Sequence, residues 1–162
     1  MLKRRMLHTG LAIALVAVSI LGFDTPANAD FPSSFVAKSV HADGFGALAV
    51  EATGGISWYN RSVTLTSVRF YANVNECGYF RAYGYQGGRL IDFADLPTGS
   101  TSYFCGGSTG KWFTLGNVPL DASAVPGGID EVYIVAADAT HGSSGWADCF
   151  RDPLTPSCYV KY

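Results

Sequence analysis

The apolar and polar positions divide the chain into two unequal parts. Leu11 to Phe23 is one uncharged apolar run. After residue 29 the pattern becomes short apolar or alternating runs cut by glycine. The cuts fall at Gly54-Gly55, Glu76-Cys77-Gly78, Gly87-Gly88, Pro97-Thr98-Gly99, Gly106 to Gly110, Pro126-Gly127-Gly128 and Gly142 to Gly145. Between them the chain is rich in Val, Ile, Thr, Tyr, Phe and Trp, which suit a pleated, half-buried surface. The pattern predicts strands near 46–52, 56–59, 62–74, 78–86, 89–95, 100–105, 111–116, 130–138 and 146–150. The run at 89–96 also reads as a short helix, and residues 30–44 read as an N-terminal arm. No other stretch after residue 29 sustains a helical period for three turns. The expectation is therefore all-β: an antiparallel β-sandwich, jelly-roll-like, of about eight strands over residues 45–162.

One hairpin can be read residue by residue. Glu76-Cys77-Gly78 suits a three-residue loop with glycine in the left-handed position. That register sets Asn75 opposite Tyr79, Asn73 opposite Arg81, Tyr71 opposite Tyr83 and Arg69 opposite Tyr85. Val68, Phe70, Ala72, Val74, Phe80, Ala82 and Gly84 then share a core face. Arg69, Tyr71, Asn73, Tyr79, Arg81, Tyr83 and Tyr85 share an amphipathic one.

The first 29 residues change the picture of where this domain works. Lys3, Arg4 and Arg5 precede the apolar run, and Ala27-Asn28-Ala29 ends the segment with a small-x-small pattern. Thirteen apolar residues are too few for a bilayer core, which takes about 20 in a helix. The segment reads as a signal peptide cleaved between Ala29 and Asp30, leaving a freely secreted chain without a membrane partner. That chain keeps eight basic and twelve acidic side chains, a net charge of −4. It lacks the basic stripe that phosphate-backbone binding requires, which argues against nucleic acid.

Cys77, Cys105, Cys149 and Cys158 all lie after the leader. An even count in an exported chain reads as a disulfide framework. Of the three possible pairings, Cys77–Cys105 with Cys149–Cys158 is preferred as nearest-neighbour. The loop-entropy model makes these bridges worth about 3.6 and 2.7 kcal/mol.

Catalytic chemistry finds little support. His41 and His141 are the only histidines after the leader, both in loop-like stretches that read as solvated, and no nucleophile signature accompanies either. Glu51, Glu76 and Glu131 read as solvated turn and edge charges rather than as a hydrolytic carboxylate pair. Asp148 and Asp152 flank Cys149 without calcium-loop spacing. Zinc finds no C-x-x-C pair and few histidines. Gly106 to Lys111 is one residue short of a phosphate-binding loop, with Trp112 where a hydroxyl should stand. Asn60-Arg61-Ser62 is formally a glycosylation triplet. No catalytic residue, metal or cofactor is implied.

The layout resembles the small extracellular β-sandwich proteins of actinomycetes. The residues carrying the resemblance are Trp58-Tyr-Asn-Arg-Ser-Val63, Cys77-Gly-Tyr-Phe-Arg81 and Pro126-Gly-Gly-Ile-Asp-Glu-Val132, and it covers roughly residues 55–150. It implies a fold and a compartment, and no catalytic residue. The tyrosine–arginine face then points to polysaccharide or cell-wall glycan. Pyranose C–H patches lie on aromatic rings while hydroxyls seek Arg, Asn and Asp. Trp58, Trp112 and Trp146 offer further platforms at loop ends. The alternative partner is a secreted protein, such as a hydrolase inhibited through Ser108 and Thr109.

Overall fold

The structure, a computed structural model, describes residues 31–41, 46–99 and 102–162. The expected leader and its cleavage site lie outside the described residues. Ten strands form among the described residues: β1 (Ser34–Val40), β2 (Leu48–Trp58), β3 (Val63–Ala72), β4 (Cys77–Gln86), β5 (Arg89–Leu96), β6 (Phe104–Cys105), β7 (Lys111–Leu120), β8 (Glu131–Asp138), β9 (Ser144–Phe150) and β10 (Tyr159–Lys161). All pairings are antiparallel. A four-stranded sheet runs β1-β2-β3-β7, and a six-stranded sheet runs β10-β9-β8-β4-β5 with β6 also on β4. No helix occurs among the described residues, so none there is long and apolar enough to cross a membrane.

Alternation decides which side chains fill the space between the sheets. From the smaller sheet come Val63, Leu65, Val68 and Phe70, and from the larger Phe80, Ala82, Val132, Ile134 and Ala147, all fully buried. The helix option for 89–96 is settled as β5, because its partner β4 pairs with it from Phe80–Leu96 to Gln86–Arg89. The two disulfides are Cys77–Cys105 and Cys149–Cys158. Both lie on the six-stranded sheet, the first between β4 and β6, the second where β10 joins β9.

Two expectations are corrected. Residues 34–40, read as part of an arm, are strand β1. It pairs with β2 from Ser34–Gly55 to Val40–Leu48 and buries Phe35, Ala37 and Ser39. Its backbone also lies so close over β9 that a Cβ at Gly145 would collide with the Lys38 carbonyl. The second correction concerns β3 and β4, which do not form a hairpin. β3 lies between β2 and β7, and β4 lies between β8 and β5. The turn between them carries the chain from one sheet to the other. Asn73 holds it, donating from Nδ2 to the Leu48 carbonyl (2.6 Å) and accepting from the Val74 N–H (2.8 Å). The left-handed residue is Asn75, at φ 60°, not Gly78. Asparagine tolerates that conformation better than most residues. Gly78 serves close packing instead, since a Cβ there would press on the Ala137 carbonyl and Val50. Val74, expected in the core, is 43% exposed on this turn.

Candidate functional site

The passage of the chain between sheets divides the seven residues expected to share one face. Tyr79, Arg81, Tyr83 and Tyr85 line the outer surface of the six-stranded sheet. Arg69 and Tyr71 lie on the outer surface of the four-stranded one, and Asn73 is spent on the turn. On the smaller sheet Arg69 stacks 4.3 Å over Trp112, and Tyr71 lies 5.2 Å from the same indole. The Tyr71 hydroxyl donates to Asn73 Oδ1 at 3.3 Å. These groups satisfy one another.

The outer surface of the six-stranded sheet is larger and carries more rings. Its registers set side chains in rows across the strands. One row runs Tyr159 (β10), Asp148 (β9), Tyr133 (β8), Tyr83 (β4), Phe93 (β5). The next towards β6 runs Lys161, Trp146, Val135, Arg81, Asp95, and the one on the other side runs Phe150, Glu131, Tyr85, Leu90. Tyr83 sits 6.4 Å from both Tyr85 and Tyr133, and Tyr133 sits 5.4 Å from Trp146, each pair tilted rather than stacked. Phe93 and Tyr159, at the two ends of the central row, are 60% and 58% exposed. From standard strand spacing the row spans about 19 Å, and Arg81 to Tyr85 about 13 Å along β4.

Charges are set among the rings. Arg81 binds Asp95 at 3.1 Å and lies 4.5 Å over Tyr79. The hydrogen bond to Asp95 raises the guanidinium pKa against the opposing effect of burial. Glu131 is held above the usual carboxylate range by burial first, then by the charges of Asp148 and Asp130. Burial also raises Asp148, and its hydrogen bond with Glu131 opposes that shift. Asp148 Oδ1 is shut off from solvent and has no hydrogen-bond partner. The Tyr85 and Tyr133 hydroxyls are raised as well, burial again the largest cause. The surface thus sets two neighbouring carboxyls, both raised by burial, among the rings. Two open pockets adjoin it. One of about 530 Å³ is lined by Glu131, Phe150, Arg151, Asp152 and Tyr159, and one of about 170 Å³ by Tyr79, Arg81, Asp95 and Tyr103.

Sequence reading found the β4 half of this surface and missed the rest. Tyr133, Asp148, Phe93 and Tyr159 join it only through pairings that the sequence does not state. Of the tryptophans offered as loop-end platforms, Trp146 is a mid-strand member of the surface. Trp112 lies on the opposite face, and Trp58 packs against the core with its indole N–H on the Pro32 carbonyl at 2.8 Å. Ser108 and Thr109 are exposed in the β6–β7 turn. His41 and Glu76 are corrected too. Glu76 is only 6% exposed and the His41 side chain 17%, whereas His141 is an exposed turn residue as expected; the two imidazoles meet with ring centroids 4.9 Å apart. Set against known proteins, the chain matches no family model, no curated protein and no solved structure.

Proposed function

We propose that this is a secreted, non-catalytic binding module for polysaccharide or cell-wall glycan, and that the outer surface of β5-β4-β8-β9-β10 is its binding face. The observation that carries the proposal is the central row, Tyr159–Asp148–Tyr133–Tyr83–Phe93, in which four rings stand in line across five strands and the two at its ends are more than half exposed. Rings on a flat sheet accept the C–H faces of sugars along a chain, and Glu131, Asp148, Asp95 and Arg81 exchange hydrogen bonds with the hydroxyls. Secretion rests on the leader-like first 29 residues and agrees with two disulfides. The resemblance to small actinomycete extracellular proteins points the same way.

Binding fits better than hydrolysis. Glu131 and Asp148 stand diagonally on the neighbouring strands β8 and β9, each among aromatic side chains. They also lie on an open sheet rather than in a cleft that excludes water. The test is retention of the purified protein on insoluble cellulose, chitin, xylan and bacterial cell wall, beside a Tyr83→Ala/Tyr133→Ala variant. Retention on one polymer, weakened at least about 30-fold in a variant that still folds, is the expected result for two ring contacts at the centre of a binding site. No retention on any polymer overturns the proposal.

A second reading has one observation in its favour. The β6–β7 turn presents exposed Gly107, Ser108 and Thr109 two to four residues beyond the Cys77–Cys105 bridge. A braced, exposed turn suits an inhibitor of secreted hydrolases, and inhibition of any member of a protease and amylase panel would favour it.

A further inference from the structure

At one end of the sandwich, β1 stops, β3 passes to β4 and β8 turns into β9. These three places bring together both histidines of the described chain and two carboxylates. Glu76 Oε1 lies 3.3 Å from His41 Nε2, and Glu76 Oε2 lies 3.1 Å from His141 Nδ1. Asp138 Oδ2 lies 3.3 Å from the same His141 Nδ1. One ligand atom from each of His41, Asp138 and His141 falls within 4.8 Å of the others. We propose that this cluster is a binding site for a divalent transition ion of the zinc type. His41, Asp138 and His141 are its ligands, and Glu76, in contact with both imidazoles, adds a second negative charge beside the ion.

Charge is the first argument. Asp138 and Glu76 are 2% and 6% exposed. Among the described residues neither pairs with a lysine or arginine, and their only cationic partners are imidazoles, charged only when protonated. Two carboxylates withdrawn from water need compensation. A divalent ion supplies it while both imidazoles stay neutral, the form in which histidine binds metals.

Geometry is the second. Bonds of about 2.0–2.1 Å to a tetrahedral ion set neighbouring ligand atoms about 3.3 Å apart. The Asp138 Oδ2–His141 Nδ1 separation of 3.3 Å already matches that edge, and the three ligand atoms together lie within 4.8 Å. Two imidazole nitrogens with carboxylate oxygens suit zinc and its neighbours, whereas calcium and magnesium take oxygen ligands alone.

The surroundings hold the ligands in place. Asp138 accepts from the Thr140 N–H (2.8 Å) and the His141 N–H (3.2 Å), which fix its carboxylate and draw His141 towards it. Ser143 Oγ reaches Asp138 Oδ2 at 3.5 Å and meets the buried Ser39 Oγ at 2.6 Å. Such outer partners orient ligands in metal sites. The His141 side chain is 53% exposed and leaves a way in from solvent. His41 follows the last residue of β1, on the four-stranded sheet, while the other three residues flank strands of the six-stranded sheet. A bound ion therefore clasps the two sheets together, and its role is structural.

The test uses the purified protein without a histidine tag, stripped with chelator and titrated with Zn²⁺ and Co²⁺ at pH 7.5. One ion per chain is expected, with the intense visible bands of four-coordinate cobalt. Zinc at a hundred times its Kd should raise Tm by about 5–10 °C. His41→Gln/His141→Gln should abolish both signals. Glu76→Gln should weaken binding at least tenfold. Absence of one-to-one binding overturns the proposal, and so does binding unchanged in the double-histidine variant. Should that variant not fold, the cobalt spectrum of the unaltered protein decides, since a six-coordinate, all-oxygen spectrum also overturns it. The test is independent of glycan binding.

Discussion

The two outer faces of the sandwich are written in the same alternating code, and both carry tyrosine, tryptophan and arginine. On the four-stranded sheet the rows run Lys38–Glu51–Tyr71–Trp112 and Val36–Thr53–Arg69–Thr114. Lys38 pairs with Glu51 at 3.7 Å, Arg69 covers the Trp112 ring, and the Tyr71 hydroxyl has Asn73. On the six-stranded sheet the rings stand about 5–6 Å apart and tilted, two of them at its ends more than half exposed, around carboxyls whose pKa values burial has raised. Composition alone does not separate the faces. What separates them is extent: the six-stranded face carries a row of four rings across five strands, whereas the four-stranded face carries one aromatic pair capped by Arg69.

The largest effect that sharpens this contrast concerns the disulfides, both of which serve the six-stranded sheet. Replacing Cys77 and Cys105 with serine should cost about 3.6 kcal/mol, and replacing Cys149 and Cys158 about 2.7 kcal/mol, measured by denaturant unfolding. The second pair pins β10 to β9 and so sets Tyr159 beside Asp148. Its loss should raise hydrogen exchange in β9 and β10 while β2 and β3 keep their protection. Equal loosening of both sheets would break the contrast.

A smaller effect tests the opposite face. Trp112→Ala/Tyr71→Ala removes a cation–π contact and an aromatic pair, at a cost of about 1–2 kcal/mol. It should leave retention on polysaccharide within twofold of the unaltered protein.

The smallest effect is one of pH. Folding raises the pKa of Glu131 above its ordinary value near 4.5 and of Asp148 above 3.8. The folded chain therefore binds these protons more tightly than the unfolded one. Their ionisation opposes folding at neutral pH, and the penalty is relieved as pH falls through the raised values towards about 4. Glu131→Gln removes one of the two charges. It should raise Tm at pH 7.5 and narrow the gap to its Tm at pH 5, relative to the unaltered protein. A lower Tm at pH 7.5 would show that the carboxylate pair stabilises the fold.

The in-or-out assignment of side chains was legible in the sequence; the pairing of strands was not. Phe70 and Phe80 point to the core whether β3 and β4 pair or face each other across it, so alternation cannot distinguish the two arrangements. Pairing would have put Tyr71 beside Tyr83. Crossing between sheets puts them on opposite faces. The turn chemistry that decides the matter is long-range, Asn73 on the Leu48 carbonyl and the Asn75 N–H on the Gly107 carbonyl at 2.7 Å. β1 was missed because the apolar residues of Ser34–Val40 do not alternate, with Phe35, Val36 and Ala37 consecutive and the polar Ser39 buried, and its strand character shows in its pairing with β2. The disulfides were legible because both join sequence neighbours. The histidine–carboxylate cluster was not, since its members lie at 41, 76, 138 and 141 and meet only when three chain segments close one end of the sandwich.

The most direct test of the central claim compares the two faces on the polymer that retains the unaltered protein. Tyr83→Ala/Tyr133→Ala and Trp112→Ala/Tyr71→Ala are assayed side by side, each first shown to be folded by circular dichroism. The account predicts that the first loses retention and the second keeps it. Loss in the second with retention in the first would contradict it and move the binding face to the four-stranded sheet.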